Sequence, residues 1–312
     1  MLYSLEKEHF GQYIRHVRES LNLTQQEVSY LTTLSCETLR RIEKGENLPT
    51  LRTIENLTMA YKVDVIRLYM TARKENALHS FYEYLDNLII SYEHETLKNI
   101  SSIFDAFFIQ TEQIHNKKEV DQFMTIIQGL ELSYTTHGSI EALNTYIEAI
   151  RLTITNFCLT DIQTFKYSYL ELKCLFLVSS ELNMLKRFKE SNQIALFLLE
   201  RYSFPVDLFS NTAILKIKLL MNIAYNYHCL DQHQLAFEYA TLGIEYCKKN
   251  KTNYLLHGLY YRRGIASILG GFGEKSGFTD LRKSIMLLDV NDMVELKTQY
   301  INVTKEKYGI SL

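Results

Sequence analysis

Helix-breaking residues are scarce in this sequence. Its 312 residues include only 2 prolines and 12 glycines, too few for the turns of a β-sandwich or a many-turned α/β enzyme. The sequence therefore predicts an all-α protein. Apolar residues make up 46% of the chain and charged residues 22%, so it can bury a substantial core. The chain is about twice as long as a typical domain, which predicts a small domain followed by a larger one.

Features of secreted, membrane and metal-binding proteins are also lacking. The first residues have neither the basic nor the apolar segment of a signal peptide, and no apolar run approaches the ~18 residues of a membrane span. The 5 cysteines form no C-x-x-C pair, which favours reduced thiols over disulfides or a zinc site. His228 and His233 are too far apart in sequence to share a helical face as metal ligands. We expect a cytoplasmic protein with no cofactor, no metal and no membrane partner.

No catalytic arrangement can be supported from residue spacing. Residues 270–276 resemble a phosphate-binding loop, but Glu274 replaces the glycine before the lysine, and a helix rather than a strand precedes the segment. A carboxylate there would repel phosphate, so we expect a long, flexible turn between helices. No Ser-His-Asp, paired-carboxylate or Cys-His set is evident. The sequence predicts that the protein is not an enzyme.

The first 70 residues have the pattern of five short amphipathic helices. Thr24 and Glu27 have the spacing of a capping box, so a second helix should begin at about residue 25. Ser35 is the expected N-cap of a third helix, and Gly45 follows the expected end of that helix.

This segment resembles the helix-turn-helix of the XRE-type, or repressor-type, DNA-binding family. The resemblance covers about 60 residues and rests on the Thr-Gln, Ser-x-x-Thr and Arg-Ile-Glu-Lys-Gly elements and their spacing. Thr33 stands where the family usually has glycine. The resemblance implies an internal ion pair between Arg18 and Glu43, as part of the scaffold rather than as DNA contacts.

In such a domain the third helix lies in the major groove and the second lies over the DNA backbone. Cys36 is interpreted as a small groove-facing side chain rather than a redox-sensing thiol. The residues expected at the DNA are Gln25, Gln26, Ser35, Cys36, Glu37, Thr38, Arg40 and Arg41.

The charge of this head bears on how it would bind DNA. Residues 1–70 contain nine basic and nine acidic side chains, so the head is neutral. Because phosphate neutralisation supplies most non-specific affinity, a single head should bind weakly. We therefore expect a homodimer that places two heads on two half-sites of a double-stranded DNA operator.

Beyond about residue 71 the pattern changes to longer helices joined by short polar turns. Their antiparallel order predicts stacked helical hairpins, in the manner of a degenerate tetratricopeptide-like superhelix. The clearest repeat is 217–246, where large and small residues recur at close-packing spacing: Leu220, Ile223, Ala224 and Tyr227, then Ala236, Ala240 and Gly243. The expected helices cover about residues 74–93, 96–112, 118–134, 139–156, 163–182, 187–201, 208–229, 232–249, 254–269, 278–288 and 292–307.

We therefore expect a helix-turn-helix domain over 1–70, a linker over 71–80, and a repeat domain over 81–312 for peptide binding and dimerisation. An XRE-type head joined to such an array is similar to the Rgg/NprR/PlcR/PrgX group, the peptide-pheromone-responsive transcription regulators. In that group the repeats line a groove for a short re-imported peptide, and asparagine side chains hold the peptide backbone.

This resemblance, together with the polar face of the helix expected over 208–229 and the helix expected over 254–269, gives a set of candidate peptide contacts. An amide can bond a peptide backbone, a cation can meet its carboxylate, and Tyr or Met can cover apolar side chains. We expect Asn222 to be the backbone clamp. The full set is Lys218, Met221, Asn222, Tyr225, Asn226, Tyr261 and Arg262.

Several functions remain open at this point. The leading hypothesis is a dimeric, DNA-binding transcription regulator controlled by a short signalling peptide. A second is a protein-interaction module, acting as an anti-regulator with a secondary DNA role. A third is a dimeric regulator without a peptide ligand. The surface around Asn222 could also be a solvated polar face, or a wall against which the C-terminal segment of the chain packs.

Overall fold

The structure, a computed structural model, describes residues 7–66, 69, 77–91, 93–108, 117–201 and 212–311. Within these ranges every regular element is helical, which confirms the all-α prediction. None of the helices described there combines the length and the apolar character that a bilayer-spanning segment requires.

The chain divides into two compact units. The first comprises Met1–Glu93 and Ser101–Val120, and the second comprises His94–Ile100 and Asp121–Leu312. The expected boundaries at residues 1–70, 71–80 and 81–312 stay a prediction, and residues 71–76 of the expected linker lie outside the described residues.

The first unit begins with four short helices: α1 (Lys7–Ser20), α2 (Gln25–Leu31), α3 (Cys36–Glu43) and α4 (Leu51–Tyr61). The predicted caps are present. The Thr24 hydroxyl accepts from the Glu27 backbone N–H, and the Glu27 carboxylate accepts from the Thr24 N–H at 2.7 Å. Ser35 caps α3 by accepting from the Thr38 N–H at 3.0 Å. The expected fifth helix, 64–70, includes residues that lie outside the described ones.

The core of this head brings α1 and α3 into direct contact. A Cβ on Gly11 would lie 2.5 Å from the Ile42 carbonyl oxygen, so only glycine permits this approach. Gly45, at φ 71°, closes α3 with the left-handed residue typical of a helix end. The fully or almost fully buried apolar residues are Phe10, Ile14, Val28, Leu39, Ile42, Ile54, Leu57, Tyr61 and Val65.

The turn between α2 and α3 forms without a glycine. Thr33 does not have a positive φ, and its hydroxyl accepts a hydrogen bond from the Asn56 side chain at 3.0 Å. Asn56 thereby ties this turn to α4.

The prediction of one long helix over residues 96–112 is wrong. The structure has α5 (Ala77–Ser91), a single-turn α6 (His94–Leu97) and α7 (Ile100–Phe108), and residues 109–112 lie outside the described ones. The helix breaks at Lys98 and Asn99, where the Asn99 N–H bonds the Thr96 carbonyl in a tightened turn.

The second unit is a helical, repeat-like stack. Consecutive helices from α9 to α16 pack against their sequence neighbours. Besides α6, its α-helices are α8 (Lys117–Thr136, mostly in this unit), α9 (Ile140–Arg151), α10 (Tyr169–Met184), α11 (Phe188–Arg201), α12 (Thr212–Cys229), α13 (His233–Lys249), α14 (Leu256–Leu269), α15 (Glu274–Val290) and α16 (Val294–Tyr308).

The close packing predicted for residues 217–246 is present. Ala224, Ala236 and Ala240 are fully buried where α12 meets α13, and Tyr227 stacks on Tyr239 with ring centroids 5.5 Å apart. Gly243, three residues after Ala240, is where α13 meets α14: a Cβ there would come within 2.6 Å of Leu259. Small residues therefore set the spacing of these helices.

Three other boundaries differ from the prediction. α9 ends at Arg151 rather than near 156, and α10 begins at Tyr169 rather than 163 because Ser168 and Glu171 form a capping box there. The turn expected over 270–276 is shorter, because α15 already begins at Glu274. The Ser267 hydroxyl also ties it down, donating to the Gly273 carbonyl at 2.9 Å.

Candidate functional site

Helix α3 presents a charged face opposite its buried face. Leu39 and Ile42 are buried in the head, while Glu37 and Arg41 are exposed and Arg40 is half-buried. This orientation follows from helical spacing, since residues three and four apart share a face. The charged face is thus held on a fixed scaffold.

The charges on this face are paired with one another. Arg40 donates from Nε and Nη2 to the two oxygens of Glu37, both at 2.7 Å, and Arg41 Nε donates to the same carboxylate at 2.8 Å. Glu46 is a weaker partner, 3.4 Å from Arg40 and 3.9 Å from Arg41. Hydrogen bonds from Arg40 and then Arg41 lower the pKa of Glu37 to about 2.

The first turn of α3 is largely committed to local contacts. Ser35 is the N-cap, and its hydroxyl is also 2.8 Å from that of Thr38. Cys36 was expected to face the groove, but it is half-buried and its thiol faces the Gln25 carbonyl oxygen at 3.6 Å. This contact turns Cys36 toward α2.

The predicted internal ion pair is present beneath the charged face. Arg18 Nε and Nη2 donate to the two oxygens of Glu43 at 2.6 and 3.0 Å, and Arg18 Nη1 donates to the Leu23 carbonyl at 2.9 Å. The hydrogen bond with Glu43 raises the pKa of Arg18. The Gln25 amide donates to Glu43 at 2.8 Å and is half-buried, whereas Gln26 is exposed. Gln25 therefore belongs at least in part to the scaffold.

In the second unit, four of the expected peptide-binding residues are half-buried and three are buried. Asn222, Met221 and Tyr225 on α12 are half-buried, and no described residue hydrogen-bonds the Asn222 amide. Met221 packs closely over α14, since its Cε would lie 2.7 Å from a Cβ on Gly258. Lys218 is buried. Asn222 is thus an unused amide beside a tightly packed methionine.

Asn226 has a different role from the one expected. It is fully buried, and its amide nitrogen donates to Ser191 and Asn192 while its oxygen accepts from Asn183 at 2.6 Å. These bonds join α12 to α10 and α11. Asn226 therefore stabilises the stack instead of facing a ligand.

Arg262 carries a charge that no described carboxylate pairs. Its guanidinium lies over the Tyr225 ring at 4.4 Å and near the Tyr261 ring at 5.4 Å. Its Nε is buried and has no hydrogen-bond partner among the described residues. A cation held on aromatic rings without a carboxylate can receive an anionic group.

The chain's own C-terminal helix packs beside Arg262. The Tyr261 hydroxyl lies 2.8 Å from that of Thr304, and the Tyr261 and Tyr300 ring centroids are 4.4 Å apart. Tyr308 forms a 2.7 Å hydrogen bond with His228 Nε2. Tyr261 is buried by these contacts, so part of the expected surface is a wall against α16, an alternative that the sequence left open.

His228 is a feature that helical spacing did not reveal. Its ring lies 5.6 Å from that of His233 because the turn from α12 to α13 brings the two together. Burial, together with the nearby charges of Arg262 and Lys307, lowers the pKa of His228 to about 3. This histidine is therefore neutral at physiological pH.

The comparisons with known proteins agree with this architecture. A helix-turn-helix domain model matches residues 9–68. The head is a helix-turn-helix domain. α3 therefore occupies the third-helix position of that domain. By sequence, no curated protein matches this chain.

Three solved structures resemble the whole chain. Bacillus thuringiensis PlcR, in complex with the peptide PapR7 and DNA, has 15% identity and a TM-score of 0.70 over 95% of this chain and 99% of that chain. The Streptococcus dysgalactiae SHP pheromone receptor Rgg2 has 15% identity and a TM-score of 0.61 over 96% and 99%. ComR from S. thermophilus, in complex with DNA and its signalling peptide ComS, has 15% identity and a TM-score of 0.57 over 96% and 100%. The chain has the fold of these regulators, which confirms the resemblance at the level of the fold.

Proposed function

We propose that this chain is a sequence-specific DNA-binding transcription regulator whose second unit binds a short signalling peptide. The observation that carries the DNA part is α3, a helix in the reading position of a helix-turn-helix domain whose outer face carries the half-buried Arg40 and the exposed Arg41. Shared fold with PlcR and ComR, each solved with DNA and a peptide, supports both parts.

In the DNA complex, α3 lies in the major groove with its N-terminal half toward the base edges. Thr38, Arg40 and Arg41 supply donors, and Gln26 at the start of α2 reaches a phosphate or a base edge. Arg18 and Glu43 stay inside the domain and fix the angle between α1 and α3. Gln25 contributes to the same scaffold through Glu43.

The regulator acts as a homodimer. The neutral charge of residues 1–70 supports this, because a single neutral head gains little from counterion release. Two linked heads on two half-sites recover affinity through effective concentration. The boundaries at 1–70, 71–80 and 81–312 are part of this proposal, with dimerisation assigned to the last segment.

The peptide site consists of Met221, Asn222, Tyr225 and Arg262, with Lys218 and Tyr261 at its margins. The Asn222 amide donates to and accepts from the peptide backbone, and Arg262 meets the peptide's C-terminal carboxylate. The site leaves Asn226 out, because its amide is already bonded inside the stack.

The DNA part is tested with Arg40→Ala and Thr38→Ala in the full-length chain. Loss of a base contact should weaken operator binding by about 1–3 kcal/mol while the circular dichroism spectrum stays unchanged. Operator binding equal to wild type in both variants would show that α3 is not the reading helix.

The peptide part is tested by isothermal titration with a pool of short apolar peptides. The pool is used once with free C-terminal carboxylates and once amidated. We expect binding of the free-carboxylate pool only, and weaker binding after Asn222→Ala. Absence of peptide binding, with DNA binding intact, would favour the regulator without a peptide ligand. A stoichiometric protein partner co-purifying from lysate would favour the anti-regulator.

A further inference from the structure

We propose that Glu37 is a selectivity residue of the reading helix: it opposes binding to generic DNA and favours operators that offer a cytosine amino group. This inference rests on the proposed DNA-binding function. It concerns an acidic residue whose carboxylate binds both arginines of the helix and so affects what the helix can read.

Glu37 lies in the first turn of α3, one turn before Arg40 and Arg41 on the charged face. Its carboxylate accepts three hydrogen bonds, two from Arg40 at 2.7 Å and one from Arg41 at 2.8 Å. Both arginines are therefore directed at a carboxylate of the same helix. In the free protein the reading face carries two positive charges and one negative charge, with Glu46 nearby.

The strength of these pairs permits exchange. All three side chains are at least one-third exposed, with fractional exposures of 55% for Glu37, 34% for Arg40 and 51% for Arg41. Ion pairs at such exposure are weak, so phosphates or base edges can displace the carboxylate. Hydrogen bonds from the arginines lower the pKa of Glu37 to about 2, so the carboxylate keeps its negative charge at physiological pH.

Displacement leaves Glu37 as an anion inside a groove lined by phosphates. If the arginines move to the DNA, the carboxylate loses its partners and is repelled; if they stay, they are unavailable to the DNA. Either outcome penalises generic DNA. In the major groove only base amino groups donate, and Glu or Asp is matched to the N4 amino group of cytosine. An operator with cytosine opposite Glu37 removes the penalty.

The chain supplies a matched control at Glu46. This residue is exposed to a similar degree, at 45%, and lies near the same arginines, but its contacts are longer, at 3.4 and 3.9 Å. It also follows Gly45, beyond the end of α3, so it does not share the reading face. Glu46→Gln removes the same charge from the head without removing the carboxylate that holds the arginines.

The experiment compares full-length wild type, Glu37→Gln and Glu46→Gln. Each protein selects sites from a random duplex library, and fluorescence anisotropy then measures affinity for the wild-type-selected duplex and a scrambled duplex across salt concentrations. Each added phosphate contact changes log K by about 0.9 per tenfold change in salt. Near 0.1 M salt, one freed arginine should therefore raise scrambled-duplex affinity roughly tenfold for a single docked head and roughly 60-fold when both heads of the dimer dock.

We expect Glu37→Gln to bind the scrambled duplex more tightly, with a steeper salt dependence, and to lose the cytosine preference at one position of each half-site. Glutamine pairs with adenine, so adenine should become acceptable there. Glu46→Gln should keep the wild-type sequence preference. Glu37→Ala, which has no carboxylate or amide, should show the same loss of cytosine preference.

Two results overturn the inference. Unchanged selectivity and salt dependence in Glu37→Gln, relative to Glu46→Gln, would overturn it while leaving DNA reading by α3 intact. Failure of the wild type to select any sequence would overturn the proposed function itself, and the inference with it. Thermal melting of each variant is the control for folding, and equal melting temperatures are expected because the substituted side chains are exposed.

Discussion

The substitution Arg18→Ala tests the scaffold of the head most severely. The Arg18 side chain is 11% exposed and that of Glu43 is 4% exposed, so both charges are removed from water. Without Arg18, the Glu43 carboxylate keeps the Gln25 amide donor but has lost its counter-charge. Breaking a buried pair by removing one partner costs about 3–5 kcal/mol. For a domain of this size each kcal/mol lowers the melting temperature by about 4–8 °C, so a drop of at least ~12 °C is expected.

The assay is differential scanning calorimetry of the full-length chain, which records the unfolding of both compact units in one scan. Amide hydrogen exchange over residues 9–68 assigns the shifted transition to the head. A matched control is Arg15→Ala, which breaks a pair with Glu19 at 2.8 Å; because both side chains are exposed, the melting temperature should change little. The double variant Arg18→Met, Glu43→Leu should recover most of the loss, since an apolar pair leaves no unpaired charge. Equal melting temperatures for Arg18→Ala and Arg15→Ala would refute the scaffold assignment.

Three further predictions concern DNA, peptide and pH. Arg40→Ala should weaken operator binding by about 1–3 kcal/mol in an anisotropy titration, with no loss of helix content by circular dichroism. Asn222→Ala should weaken peptide binding by about 1–3 kcal/mol in isothermal titration and leave DNA binding by the peptide-free protein unchanged, because one or two hydrogen bonds in a partly dry groove are lost. The pKa of His228 is near 6.5 unfolded and about 3 folded, so the unfolded state binds more protons between these values. Its contribution to stability is complete above pH 6.5 and is lost as pH falls, by about 2 kcal/mol at pH 5. Urea unfolding of wild type and His228→Gln at pH 7 and 5 measures this; the same pH dependence in both proteins would contradict it.

Much of the head could be predicted because its signals are local. Thr24 with Glu27, and Ser35 before α3, are separated by so few residues that the cap geometry follows from the spacing. The spacing of small residues in 217–246 likewise predicts close helix packing. The ion pairs of Glu37 with Arg40 and Arg41 follow from helical spacing as well, since the arginines lie three and four residues further along the helix.

The features that could not be predicted from the sequence depend on contacts between residues far apart in the chain. Asn222 and Asn226 look alike in sequence, yet only Asn226 is buried, because α10 and α11 pack over it. The contact of Tyr261 with Thr304 spans three helices, and no local pattern indicates it. The break between α6 and α7 could not be predicted because the local pattern is misleading: the helical spacing of apolar residues continues across Lys98 and Asn99.

The measurement that tests the central claim most directly is the symmetry of the DNA site that the full-length protein selects from a random duplex library. Paired docking of two neutral heads predicts an enriched sequence with two-fold symmetry, its half-sites separated by one or more helical turns. Enrichment of a single, unsymmetrical half-site, bound equally well by the full-length chain and by residues 1–70 alone, would contradict the account.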